Sequence, residues 1–173
     1  MIGLLQRVSH AEVRVKGETI GKIGGGLLVL VGVEPDDNEH SVEKLLHKIL
    51  GYRIFEDREG RMNLSLQQVA GGLLLVPQFT LAADTRKGMR PGFSTAAPPE
   101  QGRRLFHQLV ARARALYSTV AEGEFGADME VSLVNQGPAT FLLQTAANPD
   151  FSAPHYAHSP QSPPHFSAAE KSD

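Results

Sequence analysis

The chain has 173 residues, 41% of them hydrophobic and 21% charged, a globular balance that fits one domain with a proper core and little room for a second. It contains no cysteine, which excludes disulfides, thiolate metal sites and cysteine-nucleophile chemistry. A formal net charge of −2 argues against coating long polyanions, so DNA is not an expected partner, but it permits local contact with one end of an RNA.

The first third reads as strands. Ala11, Val13 and Val15 alternate with Glu12, Arg14 and Lys16, the period-2 pattern of a half-buried strand. Gly24-Gly25-Gly26 opens the run Leu27 to Val33, apolar enough for a strand buried on both faces. The triple glycine precedes a strand and lacks a following Lys-Ser/Thr pair, so it reads as a tight turn or bulge and not as a phosphate cradle. Pro35 to Asn38 supply a turn and N-caps. Val42, Leu45, Leu46, Ile49 and Leu50 then mark an amphipathic helix that stops at Gly51. Tyr52 to Phe55 predicts a short strand, Asp57 to Gly60 a turn, and Gly71-Gly72 leads into the buried strand Leu73 to Val76. Pro98-Pro99 begins a second helix whose apolar stripe runs from Leu105 to Tyr117, with Arg103, His107 and Arg114 on its solvated side. Two strands follow, Met129 to Val134 and Thr140 to Thr145.

From Asn148 onward Pro, Ser, Ala and His dominate, which divides the chain into a domain over 1–147 and a disordered tail over 148–173. Two helices cannot cover both faces of so much sheet. The expected class is therefore mixed α+β, a three-layer α/β/β sandwich with two sheet layers and both helices on one outer side.

Side-chain catalysis finds little support. There is no Gly-x-Ser-x-Gly elbow, and His155, His158 and His165 fall in the tail. No His-Glu-x-x-His or comparable ligand cluster appears, so neither metal nor cofactor is expected. No run approaches the roughly 18 apolar residues of a membrane span. Met1 to Arg7 also lack the regions of a signal peptide, which makes the cytoplasm the expected compartment. Two segments stand out. In Val76-Pro77-Gln78-Phe79-Thr80-Leu81 an apolar strand acquires Pro, Gln and Thr, the pattern of a strand end passing into a loop or of a site. Asn135-Gln136-Gly137-Pro138-Ala139-Thr140 lies between two strands, where Gly-Pro marks a turn.

At these segments the chain resembles the D-aminoacyl-tRNA deacylase family, which carries a Ser-Gln-Phe-Thr-Leu motif and an Asn-x-Gly-Pro-Val/Ala-Thr motif. The likeness extends to Gln6-Arg7-Val8, Gly51 to Phe55, Met62-Asn63-Leu64 and Gly88-Met89-Arg90-Pro91, in order from Met1 to about Ala146. The resemblance implies an editing hydrolase that cleaves D-amino acids, and glycine, from the 3′ end of tRNA. It implies a homodimer in which a cis Gly137-Pro138 pair of one chain faces Gln78, Phe79 and Thr80 of the other, with Arg7 holding the Gly-Pro loop. On this reading Gln78, Phe79 and Thr80 are the catalytic segment, and Gly137, Pro138, Arg7 and Asn135 bind substrate.

An L side chain would collide with the Gly-Pro carbonyls, whereas a D side chain would point outward and glycine has nothing to reject. Backbone N–H groups near Phe79 and Thr80 would stabilise the oxyanion, and the tRNA 2′-hydroxyl would replace a protein base. Thr80 has no evident base beside it for a covalent role. The family commonly has serine where this chain has Pro77, a departure that would inactivate the protein if that serine were an essential nucleophile. The rival readings are an editing domain of related fold acting on L-amino acids and a non-catalytic tRNA-binding module. Arg86, Lys87 and Arg90 are the basic residues considered for RNA contact.

Overall fold

The computed structural model describes residues 1–145. The segment read as a tail, with its three histidines, lies outside the described residues. The class is mixed α+β, as the hydrophobic pattern predicts. The long strands belong to one six-stranded, nearly closed sheet, and a separate small ribbon joins β4 (Phe55–Glu56) to β5 (Met62–Leu64).

Strand β1 (Ile2–Val15) organises the sheet. Along one edge it pairs antiparallel with β8 (Met129–Gln144) over almost its whole length. Along the other edge it changes partner: Ile2 to Val8 pair with β3 (Gly26–Gly32), and Ala11 to Val15 pair with β2 (Glu18–Ile23). One strand shared by two neighbours must bend where it passes between them, and the sheet folds over there. Strand β6 (Gly72–Pro77) runs parallel to β3, and β7 (Val120–Glu122) runs parallel to β6.

Alternation along β3 and β6 splits the core in two. Leu27, Val29, Val31, Leu73 and Leu75 face the long helices α1 (Glu39–Gly51) and α3 (Pro99–Leu116), where Leu45, Ile49, Phe106 and Leu109 meet them. Leu28, Leu74 and Val76 point the other way, against Val8, Ala11, Val13 and Ile23 within the folded sheet. Both faces of β3 and β6 are thus covered, which is why these strands read as continuous apolar runs. Helix α1 begins at a capping box in which Asn38 accepts from the Ser41 N–H and Ser41 Oγ accepts from the Asn38 N–H.

Of the triple glycine, Gly26 is the one that close packing requires. A Cβ on Gly26 would lie 2.0 Å from the Gly72 carbonyl oxygen, so the β3–β6 register that sets the site starts at a glycine pair. Four elements differ from the sequence reading. The strand expected over Tyr52 to Phe55 is instead the two-residue β4, Phe55–Glu56, because Tyr52 to Ile54 leave the helix as irregular chain. Strand β7 is too short, at Val120–Glu122, to show a period. The helix α2 (Leu66–Val69) occupies a single turn. The two C-terminal strands are one strand, β8, interrupted by a bulge.

Candidate active site

The first segment lies where β6 ends. Gln78 donates its backbone N–H to the Val31 carbonyl at 2.7 Å, extending the ladder one residue beyond Pro77. Residues Phe79–Ala82 then form a 3-10 turn, whose opening N–H groups have no partner inside the turn. Proline is tolerated at position 77 for a topological reason. Ladder donors alternate sides, so the N–H that proline lacks would point toward β7, and β7 pairs with β6 only as far as Glu122 opposite Leu75.

Two cavities flank this turn. One, of about 240 Å³, lies between β3 and α3 and is lined by Val31, Pro77, Phe79, Phe106 and Phe125 among others. The other, of about 280 Å³, lies across the turn and is lined by Gln78, Phe79, Phe125, Met129 and Val131 among others. Neither cavity has an ionisable side chain among its lining residues. The Gln78 side-chain amide donates to the Thr80 hydroxyl, and an amide cannot take a proton from that hydroxyl. Phe79 is 56% exposed, with its ring 5.2 Å from that of Phe93.

The second segment is the bulge in β8. Gln6 pairs with Thr140 and Val8 with Asn135, so Arg7 alone faces Gln136 to Ala139. A proline, which cannot donate to a ladder, fits such a bulge. The Gly137–Pro138 peptide bond is cis. Arg7 is only 5% exposed and holds the bulge from beneath. Its Nε donates to the Gln136 carbonyl at 3.0 Å, one terminal nitrogen donates to the Ile54 carbonyl at 2.9 Å, and the other donates to Glu56 Oε1 at 3.2 Å. Asn135 closes the bulge from within, accepting from the Ala139 N–H at 2.8 Å and donating to the Thr140 hydroxyl at 2.7 Å. A Cβ on Gly137 would come within 2.7 Å of the Arg7 guanidinium, and its φ of +131° is one that L side chains rarely adopt, so both the seat and the backbone favour glycine there.

The fold brings together Gln78, Phe79 and Thr80, and separately Arg7, Asn135, Gly137 and Pro138. It does not bring the two groups together within one chain. Pro77 aligns through Val31 and Gly3 with Leu143, whereas the bulge lies level with Arg7, Leu27 and Leu73. Three strand spacings across and several residues along place the groups on the order of 20 Å apart.

Sequence reasoning passed over Phe125, Gly126 and Met129, which line the cavities. The signal available was Gly123-Glu124-Phe125-Gly126, an aromatic residue in a glycine-bounded loop. It also passed over Glu56 and Ile54, whose role as Arg7 acceptors depends on a contact across 47 to 49 positions.

A family model described as D-Tyr-tRNA(Tyr) deacylase matches residues 4–144. The D-aminoacyl-tRNA deacylase of Pseudomonas fluorescens (strain Pf0-1) is 65% identical over 145 residues, covering 84% of this chain and 100% of the relative. That of Azotobacter vinelandii (strain DJ / ATCC BAA-1303) is 61% identical over 144 residues, covering 83% and 99%. Among solved structures, one described as c-Myc DNA unwinding element binding protein superposes with a TM-score of 0.81 at 37% identity, covering 85% of this chain and 100% of that one. A probable eukaryotic D-amino acid tRNA deacylase shares the fold, with a TM-score of 0.69 at 20% identity over 82% of this chain and 97% of that one. The chain belongs to the D-Tyr-tRNA(Tyr) deacylase family.

Proposed function

We propose that this protein is an editing hydrolase that releases D-amino acids, and glycine, from tRNA, and that it works in the cytoplasm as a homodimer with sites completed across the interface. The observation that carries the reading is the pair of cavities around Phe79 without an ionisable lining residue. Such a place cannot run general acid–base chemistry through its own side chains. It suits an ester already activated by its ribose leaving group. Water attacks the ester carbonyl, the bond to the ribose oxygen breaks, and the tRNA 2′-hydroxyl handles the proton. The N–H groups of Phe79 and Thr80, at the open end of the 3-10 turn, stabilise the oxyanion.

Stereoselection comes from the bulge. Its carbonyl groups, held by Arg7 and Asn135, face the pocket of the partner subunit and exclude an L side chain. A D side chain or the hydrogen of glycine escapes that collision. Two features support the dimer. The separation of the two groups leaves each pocket without a bulge unless a second copy supplies it. Strand β8 also pairs only with β1 among the described residues, yet it exposes Val131, Val134 and Leu142, apolar groups along an open edge that a second copy would cover.

The deciding assay incubates the protein with matched D- and L-tyrosyl-tRNA and with glycyl-tRNA, and follows release of free amino acid. Release of D-tyrosine and glycine with L-tyrosine spared is expected. Faster release of L-tyrosine would identify an L-editing domain instead, and no release would identify a binding module. Sedimentation at micromolar concentration should return twice the chain mass; a monomer that remains active and D-selective would overturn the cross-subunit site.

A further inference from the structure

We propose that the loop from Thr85 to Pro91 is a phosphate clamp for the acceptor strand of the tRNA, in which Lys87 and Arg90 make the contacts and Arg86 does not. The inference rests on the deacylase reading only for the identity of the RNA.

The loop is built to hold its shape and to project. Asp84 and Gly92 close its base with reciprocal backbone hydrogen bonds of 2.8 and 2.9 Å. Arg86 folds back on Asp84, donating its backbone N–H at 3.0 Å and two guanidinium N–H groups at 2.8 Å. This pairing holds the Asp84 carboxyl well below the usual carboxylate range, so the carboxylate and the Arg86 charge cancel locally. Lys87 and Arg90 remain exposed, and neither makes an ion pair among the described residues. Gly88, with φ +73°, turns the chain between them. Lys87 and Arg90 thus give this tip a local positive charge on a protein whose net charge is −2.

The position matters as much as the charge. The loop springs directly from the 3-10 turn that carries Phe79 and Thr80. Its far limb is fixed to the same turn by the Phe79–Phe93 ring contact and by Thr95 Oγ1 donating to the Ala82 carbonyl at 2.5 Å. A strand whose terminal nucleotide enters the cavities beside Phe79 must leave past the turn that lines them, from which this loop departs. The competing basic group, Arg103, lies over the Phe125 ring at 5.2 Å. Its cavity also holds Glu124, a carboxylate that would repel a phosphate backbone, whereas Glu122 beside it is paired with Arg114. Two uncompensated cations on an exposed tip favour phosphate contacts, which position an RNA strand without reading its sequence.

The test measures binding of a non-hydrolysable D-tyrosyl-tRNA analogue, joined through an amide, as a function of salt. Each phosphate contact on a single strand contributes about 0.7 to the slope of log affinity against log salt. The double variant K87A/R90A should therefore lose about 1.4 of that slope and bind about tenfold or more weakly at low salt. The charge-preserving pair K87R/R90K should restore the slope, while D84N/R86Q, which removes the neutralised pair together, should leave it unchanged. An unaltered slope in the folded double variant overturns the clamp, as does failure of the wild type to bind the analogue. A wild type that binds with this salt dependence but releases no D-tyrosine from the ester substrate would overturn the hydrolase reading and leave the clamp standing.

Discussion

The end of β6 and the bulge of β8 are opposite solutions to placing backbone groups at a site. The turn at Phe79–Ala82 is held chiefly by its own short bonds and by packing against Phe93, with cavities on either side of it. The bulge at Gln136 to Ala139 is bound from below by a buried arginine and from within by an asparagine. The difference fits the roles proposed for the two segments. Stabilising an oxyanion requires donors left free to meet it, whereas excluding a side chain requires an obstacle that does not yield. A collision discriminates only as well as the colliding group resists displacement.

The largest effect is expected from Arg7→Ala. It strips donors from the Gln136 and Ile54 carbonyls and leaves a void beneath the bulge. Glu56 is 55% exposed and can turn to water, so the cost comes mainly from the backbone acceptors, about 2–4 kcal/mol. Thermal unfolding should show a drop of many degrees, and the surviving fold should hydrolyse L-tyrosyl-tRNA measurably. A variant as stable and as D-selective as the wild type would show that the bulge needs no anchor. Gly137→Ala should act more gently. Its Cβ meets the guanidinium at 2.7 Å, and φ +131° is unfavourable for an L residue, at about 1–2 kcal/mol. The ratio of L to D release should rise before the D rate falls; an unchanged ratio would place stereoselection elsewhere.

How much of this was legible in the sequence differs between the same two regions. Leu27 to Val33 and Leu73 to Val76 announced buried strands because burial on both faces writes itself into composition. The helix from Val42 announced itself because its period is local. The bulge read as a hairpin turn, because Gly-Pro reports a break in pairing but not that β1 runs past it. What Arg7 does could be tied to the bulge only by family resemblance. Its acceptors lie on segments remote in sequence, and a lone arginine in an N-terminal strand carries no local signal of burial. The cavities were invisible for the same reason, being bounded by β3, β6, α3 and the loop at Phe125. The missing catalytic side chain was legible as an absence, and the apolar lining around Phe79 gives that absence a place.

The smallest effect is expected at Pro77, where the family motif commonly has serine. Pro77 lines both cavities, so a serine there would put a hydroxyl within reach of anything bound beside Phe79. It would have no base to activate it, since no lining side chain titrates. Magnitudes then decide the matter. A nucleophile or general acid–base group is worth about 10²–10⁴ in rate, whereas a hydroxyl that only hydrogen-bonds changes a barrier by about 1 kcal/mol, less than tenfold. Pro77→Ser should therefore leave the single-turnover rate of D-tyrosine release within about tenfold of the wild type. Thr80→Val, which removes a hydroxyl that accepts only from Gln78, should fall within the same limit. A hundredfold gain from Pro77→Ser, or a hundredfold loss from Thr80→Val, would return catalysis to a side chain and end the contrast between a turn that offers only backbone and a bulge that offers only obstruction.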